Sequence, residues 1–250
     1  MENNIAIKID HISKTYHGSH IPAVNDICLE IPRHARFGLL GPNGAGKTTT
    51  INILCGLMNY DKGHVSINGM ALEKKYKKIR PLIGLVPQDI ALYETLTAKE
   101  NLRFIGKMYG LKGKILKARI EECLEMVGLA HIGHKQIRTY SGGMKRRINL
   151  VAGILHRPEI LILDEPTTGV DVQSRSMILE FLHEINKEGT TIIYTSHYLE
   201  EAEDLCDHIA IIDHGELIIN GMTREIVGSE QEYHDPESVF LKLTGRKLRD

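Results

Sequence analysis

Tryptophan is absent, and aromatic residues make up only 5% of the 250 positions, so the core has to be built mainly from aliphatic side chains. Long apolar runs are missing too. The most apolar stretches, Ile160–Leu163 and Ala210–Ile212, fall far short of the roughly 18–20 residues that a membrane-spanning helix needs. Met1-Glu-Asn-Asn lacks the basic and then apolar layout of a secretory leader. Cysteine is scarce. Cys28, Cys55, Cys123 and Cys206 form no C-x-x-C pair, so neither a zinc ribbon nor a disulfide framework is expected, and a reducing cytosol suits the chain. There is no excess of one charge: 31 Lys+Arg against 32 Asp+Glu give a formal net charge of −1. That balance argues against a bulk electrostatic grip on nucleic acid or anionic lipid. Internal repeats and low-complexity segments are also lacking.

What remains is an ordinary globular composition, 42% hydrophobic and 25% charged. Short β-type runs alternate with helical patterns, which predicts a parallel sheet wrapped by helices. Ile5–Ile12 and Ala23–Ile31 alternate like strands, and Val65-Ser66-Ile67 runs into the tight-turn pair Asn68-Gly69. Phe37–Leu40 reads as a buried strand leading through Gly41–Lys47 into a helix, Thr48–Cys55, closed by Gly56. From about Asp89 to Arg157 the pattern turns mostly helical. Thr97-Ala-Lys-Glu100 is a capping box, and Leu116, Ile120, Cys123, Leu124 and Val127 share one helical face. The βα pattern then returns. Ile160–Leu163 is a strand, Ile178, Phe181, Leu182 and Ile185 form a helical stripe, and Thr190–Thr195 is a β-branched strand. Asp235-Pro236, followed by Val239, Phe240 and Leu243, predicts a last short helix.

Gly41-Pro42-Asn43-Gly44-Ala45-Gly46-Lys47-Thr48 fits the phosphate-loop pattern G-x-x-x-x-G-K-[ST], with Thr49 continuing into the helix. Its glycines let backbone N–H groups converge on phosphate oxygens, and the helix presents its positive end to the anion. Lys47 can bridge β- and γ-phosphates, and the Thr48 hydroxyl can ligate Mg²⁺. Nucleoside triphosphate binding follows. Asp164 and Glu165 end the strand Ile160–Leu163, at the sheet edge where α/β folds bind ligands. Asp164 suits the metal, and Glu165 suits polarising an attacking water.

Tyr140-Ser141-Gly142-Gly143-Met144 is a second anion-binding device, with Ser141 as helix N-cap. One phosphate loop already serves the phosphates in cis, so the second needs another reason. With the order of elements, these motifs resemble the ATP-binding cassette of ABC transporters over nearly the whole chain, from about Ile5 to Gly221. The Ser-Gly-Gly centre of the family signature is present. Its flanks, Tyr140 and Met144, resemble the drug- and polysaccharide-export type.

The resemblance implies a P-loop NTPase core of α/β class with a mainly parallel sheet, an N-terminal antiparallel β region and a helical insertion subdomain at about 89–157. The nucleotide-binding domain would span 1–225, with a short C-terminal extension over 226–250. It implies roles residue by residue. Tyr16 stacks on adenine, Gln88 reaches Mg²⁺ and water, Asp171 contacts the opposite subunit, and His197 touches the γ-phosphate. Two cassettes, expected to be two copies of this chain, would trap two ATP molecules. Ser141, Gly142 and Gly143 of one would clamp the γ-phosphate held by the other. The partner would be a separate transmembrane permease at the cytoplasmic face of the cell membrane, with export the expected direction. A soluble ATPase serving an assembly system, such as iron–sulfur scaffold loading, is the alternative. Lys74–Lys78 reads as a solvated basic face, His131 and His134 lack a third ligand for zinc, and Glu200–Asp204 reads as a helix surface.

Overall fold

Alternating apolar positions dictate the first layer. In the computed structural model, which describes residues 4–228, strand β1 (Ile5–Lys14) buries Ile7 and Ile9 and turns Lys8 and Asp10 to solvent. This is the period-2 signature of a half-buried strand. It pairs antiparallel with β2 (Val24–Pro32) on one side and with β4 (Lys62–Ile67) on the other. Strand β4 turns back into β5 (Met70–Ala71). Asn68 and Gly69 both have positive φ, 50° and 71°, as a two-residue type I′ turn requires.

The second layer is a six-stranded sheet in the order β10-β9-β3-β8-β7-β6, with β3 (Arg36–Leu40), β6 (Ile83–Val86), β7 (Ile160–Asp164), β8 (Thr191–Ser196), β9 (His208–Asp213) and β10 (Glu216–Met222). Its pairs are parallel except β9 with β10. Strands β3, β7, β8 and β9 are buried on both faces, which explains why they read as near-continuous apolar runs. Leu161, Leu163, Ile192, Tyr194, Ile209 and Ile211 point into one core. Ile160, Ile162, Ile193, Ala210 and Ile212 point into the other, shared with β1, β2, β4 and helix α1 (Lys47–Leu54). Helix α1 is thus packed in the core common to the two sheets, with the phosphate loop at its N-terminus.

Helix α2 (Leu72–Ile79) carries the basic run with its lysines exposed, as the composition predicts. Between β6 and β7 the chain is helical, in α3 (Ala98–Met108), α4 (Gly113–Met126) and α5 (Gly142–Ile154). The Thr97–Glu100 capping box opens α3. Helix α5 lies directly on β6, because Gly153 and Gly84 remove the side chains between them. A Cβ on Gly84 would strike the Gly153 carbonyl oxygen. Helices α6 (Val172–Lys187), α7 (Leu199–Leu205) and α8 (Thr223–Gly228) complete the described chain. The α6 stripe Ile178, Phe181, Leu182 and Ile185 is buried as predicted. The helix expected after Pro236 lies outside the described residues.

One expectation is corrected. The acidic run Glu200–Asp204 does lie on a helix, but Glu201 is only 4% exposed and faces inward. A run of like charges reads as a solvated face, and sequence alone does not show the hydroxyls that satisfy this carboxylate.

Candidate functional site

The site forms where β3, β7 and β8 end side by side. Chain reversal from β3 into α1 demands glycine at position 46. Its φ is 106°, and a Cβ there would run into the Ala23 carbonyl oxygen. The loop is pinned by a bond from the Ala45 N–H to the Pro42 carbonyl at 3.1 Å and by one from the Gly215 N–H to the Ala45 carbonyl at 2.9 Å. Asn43 and Gly44 are exposed at its tip. Lys47 is 5% exposed, and its Nζ donates to the Gly41 carbonyl at 2.7 Å and the Pro42 carbonyl at 3.2 Å.

At the end of β7 the two acids point to different partners. The Thr48 hydroxyl donates to Asp164 Oδ2 at 2.9 Å, and the Thr195 hydroxyl donates to Oδ1 at 2.7 Å. Together the Thr48 and Asp164 oxygens make a hard donor set that fits a small divalent cation such as Mg²⁺. The Glu165 carboxylate is 6% exposed and gathers the remaining groups. Lys47 Nζ lies 3.2 Å from Oε1. Oε2 accepts from Gln88 Nε2 at 3.2 Å and from the Thr168 hydroxyl at 3.3 Å. His197 Nδ1 stands 3.5 Å from the same oxygen, is buried, and makes no hydrogen bond. A buried ring nitrogen without a partner beside a phosphate loop fits an anionic ligand. Glu165 has a φ of 45°, a left-handed conformation rare outside glycine, which costs of order 1–3 kcal/mol and concentrates at functional sites.

Tyr16, 45% exposed, stands beside α1 with its hydroxyl 3.0 Å from Thr49 Oγ1. The second device lies apart in sequence. Ser141 caps α5 by accepting from the Met144 N–H at 3.3 Å, as the sequence predicts. Gly142 is open, and Gly143 packs against Ser174, with Asp171 Oδ2 3.6 Å from where its Cβ would stand. Asp171 caps α6, accepting from the Ser174 N–H and hydroxyl at 2.8 Å each. Those two bonds, the backbone one first, hold its carboxyl below the usual range. His131 and His134 are exposed, and Asp10, His11 and Cys28 are the one described group of His, Cys and acidic ligand atoms close enough to share a metal.

Two residues at this site escape sequence reading. Thr195, fully buried, donates to Asp164 and accepts the Glu165 N–H at 2.9 Å, so it orients both acids. Only the register, Asp164 opposite Thr195, reveals it. Arg146 is buried in α5 and donates to the backbone carbonyls of Gln88, Glu165 and Thr168, tying three loops to the signature helix. Burial lowers its pKa, with the nearby acids opposing. The basic run Lys145-Arg146-Arg147 gives no sign that its middle member points inward.

Residues 24–168 match the ABC transporter family profile. The chain belongs to the ABC transporter family. This cassette is 50% identical over 220 residues to the linearmycin resistance ATP-binding protein LnrL of Bacillus subtilis (strain 168), covering 88% of this chain and 70% of that protein. It is 36% identical over 248 residues to the doxorubicin resistance ATP-binding protein DrrA of Mycobacterium tuberculosis (strain CDC 1551 / Oshkosh), covering 99% and 73%. Among solved structures, the ATP-binding cassette MJ0796, a dimer in a post-hydrolysis state bound to ADP and Pi, superposes with a TM-score of 0.79. That likeness is at 27% identity and covers 87% of this chain and 99% of the other. The cassette is an ATP-binding ATPase of the ABC transporter type, and these two relatives are resistance ATP-binding proteins.

Proposed function

We propose that this chain is the motor of a membrane exporter. Two copies close head-to-tail around two ATP molecules at the cytoplasmic face of the membrane and drive a separate permease. The nucleotide-binding domain is assigned to residues 1–225, its helical subdomain to about 89–157, and a C-terminal extension to 226–250. The observation that carries the reading is the convergence of Lys47, Gln88, Thr168 and His197 on the Glu165 carboxylate, beside the Thr48–Asp164 pair. Thr48, Asp164 and Gln88 would hold Mg²⁺, which would supply positive charge against the phosphates.

The steps follow from charge. The buried Lys47 ammonium is shared between loop carbonyls and Glu165. A triphosphate in the loop competes for that ammonium and frees Glu165 to accept a proton from water. Gln88 orients the same water, and His197 donates to the γ-phosphate oxygens. Tyr16 stacks on the adenine. Pro42, Asn43, Gly44, Ala45 and Thr49 supply backbone and side-chain contacts around the phosphates. Ser141, Gly142 and Gly143, with Asp171, approach the γ-phosphate of the other copy. This arrangement gives the second anion device its ligand. ATP then holds the dimer shut, and hydrolysis removes the shared contact.

Similarity to resistance ATP-binding proteins favours drug-like or antibiotic cargo and a membrane partner over an assembly scaffold. No helix among the described residues is long and apolar enough to cross a membrane. Affinity purification of the tagged full chain from detergent-solubilised membranes tests the assignment. A stoichiometric multi-span protein is expected, and recovery with soluble scaffold proteins only contradicts it.

A further inference from the structure

The Glu201 carboxylate sits where three segments of the site meet. It accepts from the Thr167 hydroxyl at 2.9 Å, the Tyr194 hydroxyl at 2.8 Å and the Ser196 hydroxyl at 2.9 Å. Arg175 Nε lies 3.3 Å from Oε1. An ionised carboxylate only accepts, and three hydroxyls with one proton each match that demand. Tyr194 is held protonated for this purpose, because burial first and Glu201 second push its pKa far up.

Each donor belongs to a segment that carries a site residue. Thr167 is two residues past Glu165. Ser196 immediately precedes His197, and its oxygen also accepts the Tyr198 N–H at 2.9 Å, bracketing the histidine. Arg175 is in the first turn of α6, capped by Asp171, and its guanidinium stands 5.9 Å over the Tyr198 ring. His197 and Glu165 are therefore set 3.5 Å apart by one buried acid that touches neither.

We infer that Glu201 is a positioning residue for ATP hydrolysis. It fixes the His197 turn and the Glu165 loop in register and links both to the Asp171 end of α6. The inference rests on the roles proposed above for Glu165 and His197. A carboxylate needed only to satisfy buried hydroxyls would affect stability. A positioning carboxylate affects the chemical step, because displacing reacting groups by about 1 Å costs up to about a hundredfold in rate.

The test is steady-state ATPase and equilibrium nucleotide binding on the purified full chain, in wild type, Glu201→Gln, His197→Ala and the double variant. Glu201→Gln keeps the shape but brings an amide N–H₂ toward the hydroxyl donors. The expected result is kcat lower by about tenfold to a hundredfold with KM and ATP affinity within about twofold. The double variant is expected to lose clearly less than the product of the two single losses, because part of the Glu201 effect runs through His197 and the rest through the Glu165 loop. If the two losses multiply, or if kcat falls only in proportion to folded protein by circular dichroism, positioning is overturned. If His197→Ala itself retains full ATPase, the underlying site reading fails instead. Where Glu201→Gln does not fold, Ser196→Ala removes one donor and leaves two. It should show the same kcat-only loss at smaller amplitude, and an unchanged kcat overturns the inference.

Discussion

In the proposed function most of the site's chemistry depends on Glu165, a single carboxylate that serves two states. With Lys47 at 3.2 Å its charge is compensated. In the proposed function, phosphates draw the ammonium away and the same oxygens become a base. Replacing it by glutamine removes the base and keeps the shape. Glu165→Gln should bind ATP within about twofold of wild type and lose turnover by at least about a hundredfold, as read by phosphate release beside a fluorescent-nucleotide titration. Lys47→Ala should act on binding. Losing a charge-assisted hydrogen bond worth about 1.5–3 kcal/mol weakens ATP affinity about tenfold to a hundredfold, measurable by calorimetry. At this scale much of the site is legible in sequence, because phosphate binding demands glycines and a lysine at fixed spacing within one loop. Thr195, Arg146 and Glu201 are not. Each acts across a strand pair or between helices, and nothing in the spacing of Thr195 from Asp164 reveals that they lie opposite in the sheet.

Elements are legible in the sequence where one periodic face meets one core. The α6 stripe, the Thr97 capping box and the Asn68-Gly69 hairpin all appear in the fold. The capping box satisfies the Thr97 and Glu100 backbone N–H groups reciprocally. Thr97→Ala should cost about 1 kcal/mol of stability, seen as a lower urea midpoint with ATP affinity unchanged. What sequence could not show is how closely elements approach. Gly153 and Gly84 let α5 lie on β6, and a Cβ on Gly153 would stand 2.6 Å from Val86 Cγ2. Gly153→Ala should therefore overpack this contact and cost about 1–3 kcal/mol, despite alanine's better helix propensity. A rise in the denaturation midpoint would contradict that packing account. The inward face of α7 is hidden in the sequence for a related reason. Five residues offer too few turns for charge periodicity to mark Glu201 as the buried one.

On the scale of the whole molecule, the proposed function makes this site half of a larger one. The phosphate loop, the two acids and His197 gather at the ends of β3, β7 and β8. Ser141 and Gly143 are gathered instead with Asp171 and Ser174 at the starts of α5 and α6. That second group has the backbone and hydroxyl donors of an anion site, and in the proposed function its anion is held by another copy. The decisive measurement is the mass of the Glu165→Gln chain by light scattering, with ATP and with ADP, alone and combined with Ser141→Arg. The account predicts a doubling of mass with ATP only. It also predicts loss of that dimer in the Ser141→Arg combination, with monomer affinity for ATP kept within about twofold. A chain that stays monomeric with ATP bound, or a dimer indifferent to Ser141→Arg, would contradict it.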